Sequence, residues 1–150
     1  MVPEGLAALV VDTNIVFSIL QKEGITRKLF FFLGVEFYAP NFLMVEIIKY
    51  KEKIVSLSTM NESEFISVVY KVFNKINFVN ETLISAENRK KAYEMCKDVD
   101  ETDTPFVALA LELNIPLWSG DKKLVKGLKI KEFNKVLTTS DIKNICGSFS

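Results

Sequence analysis

The 150-residue sequence predicts an α/β fold of three layers, α/β/α, with a central parallel sheet of four or five strands. Two observations carry this expectation. Short apolar, β-branched runs such as "LAALVVD" alternate with longer stretches of helical spacing. The stretch "TDTPFVALALELN" is almost wholly apolar behind its polar start, the signature of a helix buried against a sheet. Strands separated by helices pair in parallel and are covered on both faces.

In chain order, "LAALVVD" reads as the first strand and "NIVFSILQK" as a helix that stops at Gly24. "ITRKLFFFLG" follows as a short amphipathic helix closed by Gly34. "VEFYAP" is the second strand, ended by Pro40, after which one helix is expected through "NFLMVEIIKYKEKIVSL". Asn61 and Glu64 form a capping-box pattern ahead of "ESEFISVVYKVFNKI". "NFVN" is a weak strand signal, and Ser85 is placed to cap "AENRKKAYEMCK". "IPLWSG" is a strand, "DKKLVKG" a helical turn or two, "FNKVLTT" a last strand, and "SDIKNICG" a short helix capped by Ser140. With neither repeat nor linker-like tract, residues 1–150 are expected to form one domain.

Composition narrows the chemistry. Hydrophobic residues make up 49% and charged residues 25%, as in a soluble globular protein. Without an apolar run near the roughly 20 residues that cross a bilayer, or a signal-peptide pattern, a cytoplasmic location away from membranes is expected. Cys96 and Cys146 lack ligand spacing and are expected as reduced thiols. Histidine is absent, which removes His-dependent nucleophilic and ribonuclease chemistry and the common His-based zinc sites. Net charge is zero, so any attraction to nucleic acid must be local. Lys49, Lys51 and Lys53, then Arg89, Lys90 and Lys91, then Lys122, Lys123 and Lys126 are the basic groups, each first read as a solvated helix face.

The acids are more telling. In parallel α/β sheets, ligands bind beyond the carboxyl ends of the strands. Asp12 closes the first strand and Asp121 directly follows "LWSG". Asp103 opens the buried helix, and Glu46 sits inside the apolar block "FLMVEII". Taken singly, each has an ordinary explanation as a cap or surface acid. Together they predict a shared cleft, because four caps do not account for an acid at Glu46. Crowded carboxylates repel until a cation neutralises them. Oxygen-only ligands at an open site suit Mg²⁺ or Mn²⁺, which lower the pKa of bound water and stabilise charge on a phosphoryl group. Metal-assisted phosphodiester hydrolysis is the chemistry this predicts.

At these residues the sequence resembles the PIN-domain nucleases, in particular the small single-domain members that include VapC-type toxins. The resemblance rests on "VVDTNI", "APNFLMVEI" and "DTPFVALALELNIPLWSGD", in that order. It implies that Asp12, Glu46, Asp103 and Asp121 form an acidic metal-binding quartet. It further implies that Asn14 organises the first loop and that Ser119 supports Asp121 or binds phosphate. Mg²⁺ or Mn²⁺, single-stranded RNA as substrate, homodimerisation and, for toxin members, an antitoxin partner follow from the same resemblance. Two features depart from the family pattern. Lys122 and Lys123 stand where many relatives place a further acid, and Asp98, Asp100 and Glu101 precede Asp103. The latter read first as a solvated loop, with Asp100 positioned to supplement the site. The competing reading is a non-catalytic RNA-binding or assembly module that keeps the fold. A receiver-like phosphoacceptor lacks its acidic pair, and a DxD phosphatase is disfavoured by Asn14 in "DTN". The aromatic run Phe30 to Phe32 reads as core or dimer surface before base-stacking surface.

Overall fold

The computed structural model describes residues 5–147. Five strands form one parallel sheet in the order β3-β2-β1-β4-β5, comprising β1 (Ala8–Val11), β2 (Glu36–Pro40), β3 (Ile76–Val79), β4 (Leu117–Trp118) and β5 (Val136–Leu137). β1 is the central strand, with Leu9, Val10 and Val11 fully buried. That is why it reads as a continuous apolar run rather than an alternating one. β4 and β5 are only two residues long, shorter than "IPLWSG" and "FNKVLTT" suggested.

Successive strands are added first on one side of β1, which pairs with β2, and then on the other, where it pairs with β4. Connections on the first side are α1 (Thr13–Gln21) and α2 (Ile25–Phe32). After β2 come α3 (Phe42–Lys49), α4 (Lys51–Leu57) and α5 (Glu62–Lys75), which runs straight into β3. The second side is reached through α6 (Ala86–Cys96) and α7 (Thr104–Leu113), then α8 (Lys122–Ile130) and α9 (Thr139–Cys146). Helix α1 packs on α2, α4 and α5, while α7 packs on β1, β2, β4 and α6. Five consecutive residues of α7, Phe106 to Ala110, are buried, as its apolar composition demands. Trp118, Phe30 and Phe37 fill the centre, with Phe30 stacked on Phe37 at 4.5 Å between ring centroids. Such a pair adds about 1 kcal/mol beyond its burial.

Several local expectations are corrected. The helix after Asn41 is two helices, broken at Tyr50, whose backbone (φ −104°, ψ 12°) leaves the helical range. The block around Glu46 is not core throughout: Leu43 and Ile47 are buried, but Val45 and Ile48 are exposed. Helix α1 ends at Gln21, and Gly24 caps the start of α2 instead. Helix α2 is closed by an extended Leu33 rather than by Gly34. The cap of α9 is Thr138, in a capping box with Asp141, because Thr138 and not Ser140 has the extended backbone that an N-cap requires. Of the three consecutive phenylalanines, Phe30 is core, Phe31 packs against the core and Phe32 is 67% exposed. Asn61–Glu64 and Ser85 cap α5 and α6 as expected. Both cysteines are free thiols, with Cys96 buried. No helix among the described residues is long and apolar enough to cross a membrane.

Candidate metal centre

Asp12 leaves the end of β1 at the N-cap of α1, and at 1% exposure it lies beneath the surface. Its Oδ1 accepts from the Ile15 amide at 2.9 Å, and its Oδ2 accepts from the Ser119 hydroxyl at 2.5 Å. Burial, and secondarily repulsion from Asp121, push its pKa up to about 6 despite those bonds and one from the Gly120 backbone. Ser119, itself buried, also accepts from the Asp121 amide at 3.1 Å, so one hydroxyl joins the ends of β1 and β4. Gly120 lies against the first turn of α1, where a Cβ would sit 3.4 Å from the Asn14 Cβ and from Ile15 Cδ1.

Asp121 caps α8 with its Oδ1, which accepts from the Lys123 and Leu124 amides, leaving Oδ2 outside the cap. Asp100 does likewise for the short 3-10 turn Glu101–Asp103, its Oδ1 accepting from the amide and hydroxyl of Thr102. Asp103 sits at the N-terminus of α7 but makes no side-chain cap bond. Its Oδ2 is buried without a hydrogen-bond partner among the described residues. One carboxylate oxygen from each of Asp100, Asp103 and Asp121 lies within 4.8 Å of the others. Burial first, then repulsion from Asp100, Asp12, Asp121 and Glu46, raises the Asp103 pKa to about 7.

Glu46 faces the same cavity from α3. Its Oε1 accepts from the Thr13 hydroxyl at 2.5 Å. Its pKa is raised, chiefly by burial and then by Asp100, against the opposing effects of Thr13 and Lys49. Thus Asp100, Asp103, Asp121 and Glu46 line one cavity of about 440 Å³, and Asp12, though not on its wall, joins Asp100, Asp121 and Glu46 in repelling a charge on Asp103. Asp100 belongs to the tightest acidic group, where the first reading of it as a solvated loop residue gave it a lesser place. Asn14 is exposed at the cavity wall, beside Gly120.

The donor set suits a hard divalent cation. Three carboxylates offering oxygens at this spacing, one of them an orphaned buried atom, make a site whose internal repulsion such an ion would relieve.

Sequence reasoning missed Thr13 and the remainder of the cavity wall. Beyond the acids, Phe17 and Gln21 of α1 and Lys53, Ile54 and Leu57 of α4, with Tyr50 at the break, line the same space. Their spacing held the signal: 13, 17 and 21 share one face of a helix, as do 50, 53, 54 and 57.

A family model described as PIN domain matches residues 10–141. The chain belongs to the PIN-domain family. The resemblance to PIN-domain nucleases is therefore borne out, as is the α/β/α fold with its parallel sheet. Among solved structures, this PIN-domain chain is similar to PAE2754 from Pyrobaculum aerophilum, with a TM-score of 0.66 and 9% identity over 97% of this chain and 94% of that one. It is similar to a chain of a toxin–antitoxin complex from Klebsiella pneumoniae, with a TM-score of 0.62 and 13% identity, covering 87% and 97%. A third similarity is to a chain of VapBC2 from Rickettsia felis bound to a DNA fragment from their promoter, with a TM-score of 0.56 and 12% identity, covering 87% and 96%. Curated protein sequences yield no significant match.

Proposed function

We propose that this PIN-domain protein is a metal-dependent endoribonuclease that hydrolyses phosphodiester bonds of single-stranded RNA. The observation that carries the reading is the meeting of Asp100, Asp103 and Asp121 around a buried, unpartnered Asp103 oxygen. In this reading Asp103 and Asp121, supplemented by Asp100, hold Mg²⁺ or Mn²⁺, and Glu46 orients water or substrate from the opposite wall. Asp12 supplies a buried negative charge and, through Ser119, positions the Asp121 loop. A bound divalent ion supplies a water of lowered pKa and stabilises charge on the phosphoryl group. Without histidine, proton removal falls to the carboxylates, and Glu46, which faces the cavity and is not assigned to the ion, is the one placed for that work.

The structural neighbours drawn from toxin–antitoxin complexes support a further reading of the protein as a toxin with an antitoxin partner. We further propose, from the family resemblance alone, that it is a cytoplasmic homodimer. The deciding experiment is cleavage of a labelled single-stranded RNA with Mn²⁺, with and without chelator, by the wild type and by Asp103→Asn and Asp12→Asn. Loss of cleavage in correctly folded variants is expected. Undiminished metal-dependent cleavage by both would reject the assignment.

Two observations favour the second reading, a non-catalytic RNA-binding or assembly module. Both Asp12 oxygens are already bonded within the protein, and Lys122 and Lys123 follow Asp121. Calorimetric titration with Mn²⁺ separates the two, since the module predicts no heat of binding.

A further inference from the structure

The acidic cavity does not end at the acids. Along α1 it passes from Thr13 through Phe17 to Gln21, about 12 Å at 1.5 Å per residue. Along the other wall it passes from Glu46 to Tyr50 and then to Lys53 and Leu57 on α4. An adjoining cavity of about 640 Å³ past the end of α1 is lined by the same Gln21 and Leu57. The far half differs from the near half in chemistry. Phe17 and Tyr50 meet edge to face at 5.8 Å, and Leu57 is 60% exposed, an apolar side chain facing solvent beside a polar centre. Tyr50 is itself exposed at 36%, and Lys53 is exposed as well.

We infer that Phe17, Tyr50 and Leu57 form a nucleobase subsite in which a base flanking the scissile phosphate packs, with Lys53 beside the next phosphate. The inference rests on the ribonuclease reading of the acidic centre and specifies how that centre takes its strand. Aromatic and apolar faces accept any base, because every base presents a π-face. The Gln21 carboxamide offers both a donor and an acceptor to a base edge. An ammonium at Lys53 meets the strand where the carboxylates no longer repel it. A continuous single strand lying along the cavity satisfies all three chemistries. A duplex does not, since its bases are stacked and unavailable.

The test reads binding and cleavage separately. A labelled oligoribonucleotide is titrated against full-length Asp103→Asn protein, in which the strand is expected to stay intact, and then against that protein carrying Tyr50→Ala or Leu57→Ala. Each added change is expected to weaken binding about tenfold, while Tyr50→Phe preserves it. Replacing the bases by abasic nucleotides is expected to weaken binding to the parent protein by a similar factor and to the Tyr50→Ala form hardly at all. Lys53→Ala is expected to lower the salt dependence by about one phosphate contact. Leu57, being exposed, keeps the test free of folding defects. Unchanged affinity in Tyr50→Ala and Leu57→Ala, or an abasic penalty equal in both proteins, would overturn the subsite. Wild-type protein that binds the strand with these preferences yet cuts nothing would instead refute the nuclease reading and leave the subsite standing.

Discussion

Asp103 carries the largest electrostatic burden among the four predicted acids. Its carboxyl is raised to about 7, so the folded protein holds a proton that the unfolded chain has released once pH exceeds the ordinary carboxylate value. A raised carboxyl favours the folded state at low pH, and this contribution is lost as pH rises toward about 7. Asp103→Asn is therefore expected to have a higher Tm than the wild type in chelator, by a margin that widens from about pH 4 to about pH 7 and then levels off. Exposed acids held low by lysine, such as Glu62, Glu94 and Asp98, pull in the opposite direction but are common to both proteins and cancel in the difference. Adding Mn²⁺ should reverse the order, raising the wild-type Tm and leaving the variant nearly unmoved. A margin independent of pH would contradict the burial-driven shift. Ser119 has the complementary role. Removing its hydroxyl in Ser119→Ala takes a donor from a fully buried carboxylate, and a loss of about 1–3 kcal/mol in denaturant unfolding is expected. That loss should be larger above about pH 6, where Asp12 is charged.

Helix α8 holds the acidic loop from behind. Val99 nests against Gly127, where a Cβ would come within 2.7 Å of Val99 Cγ2. At the end of the same helix, the Lys131 ammonium donates to the Glu94 and Met95 carbonyls and pairs with Asp98. Gly to Ala within a helix ordinarily stabilises by about 1 kcal/mol. Here Gly127→Ala is expected to destabilise, since overpacking costs about 1–3 kcal/mol. Val99→Ala should restore the gain, and urea titration of the four members of the cycle would measure it. Lys131→Met should loosen the loop of Asp100 and weaken Mn²⁺ binding without touching any ligand. These contacts were invisible in the sequence because they join residues about 30 positions apart with no shared pattern. Helix and strand identities were legible wherever periodicity ran long, as in α5 and α7. The break at Tyr50 was not, because nothing in "IIKYKEK" forbids a continuous helix and tertiary packing decides the bend.

Asp12 and Asp121 were readable as a pair because their positions at the ends of neighbouring strands follow from the parallel sheet, which the alternation of elements announces. The division of labour among the acids was not readable. Asp12 is sealed by Ile15 and Ser119, Asp100 joins the tightest group, and Glu46 is tied to Thr13, all of which depend on three-dimensional packing. The apolar block around Glu46 misled in one respect, since Val45 and Ile48 face solvent. For the molecule as a whole, loading the centre with a divalent ion should convert internal repulsion into cohesion. Global Tm is thus expected to rise with Mn²⁺ concentration, and the buried Trp118, two residues from Gly120, offers an intrinsic fluorescence report of the same transition.

The bond between Ser119 and Asp12 spans 107 residues of chain, and β4 enters the sheet beside β1 only once that length has been made. A polypeptide still emerging from the ribosome therefore has its first acid long before it has the last one or the serine that seats it. Any chemistry that needs Asp121 is thus withheld until most of the chain has been translated.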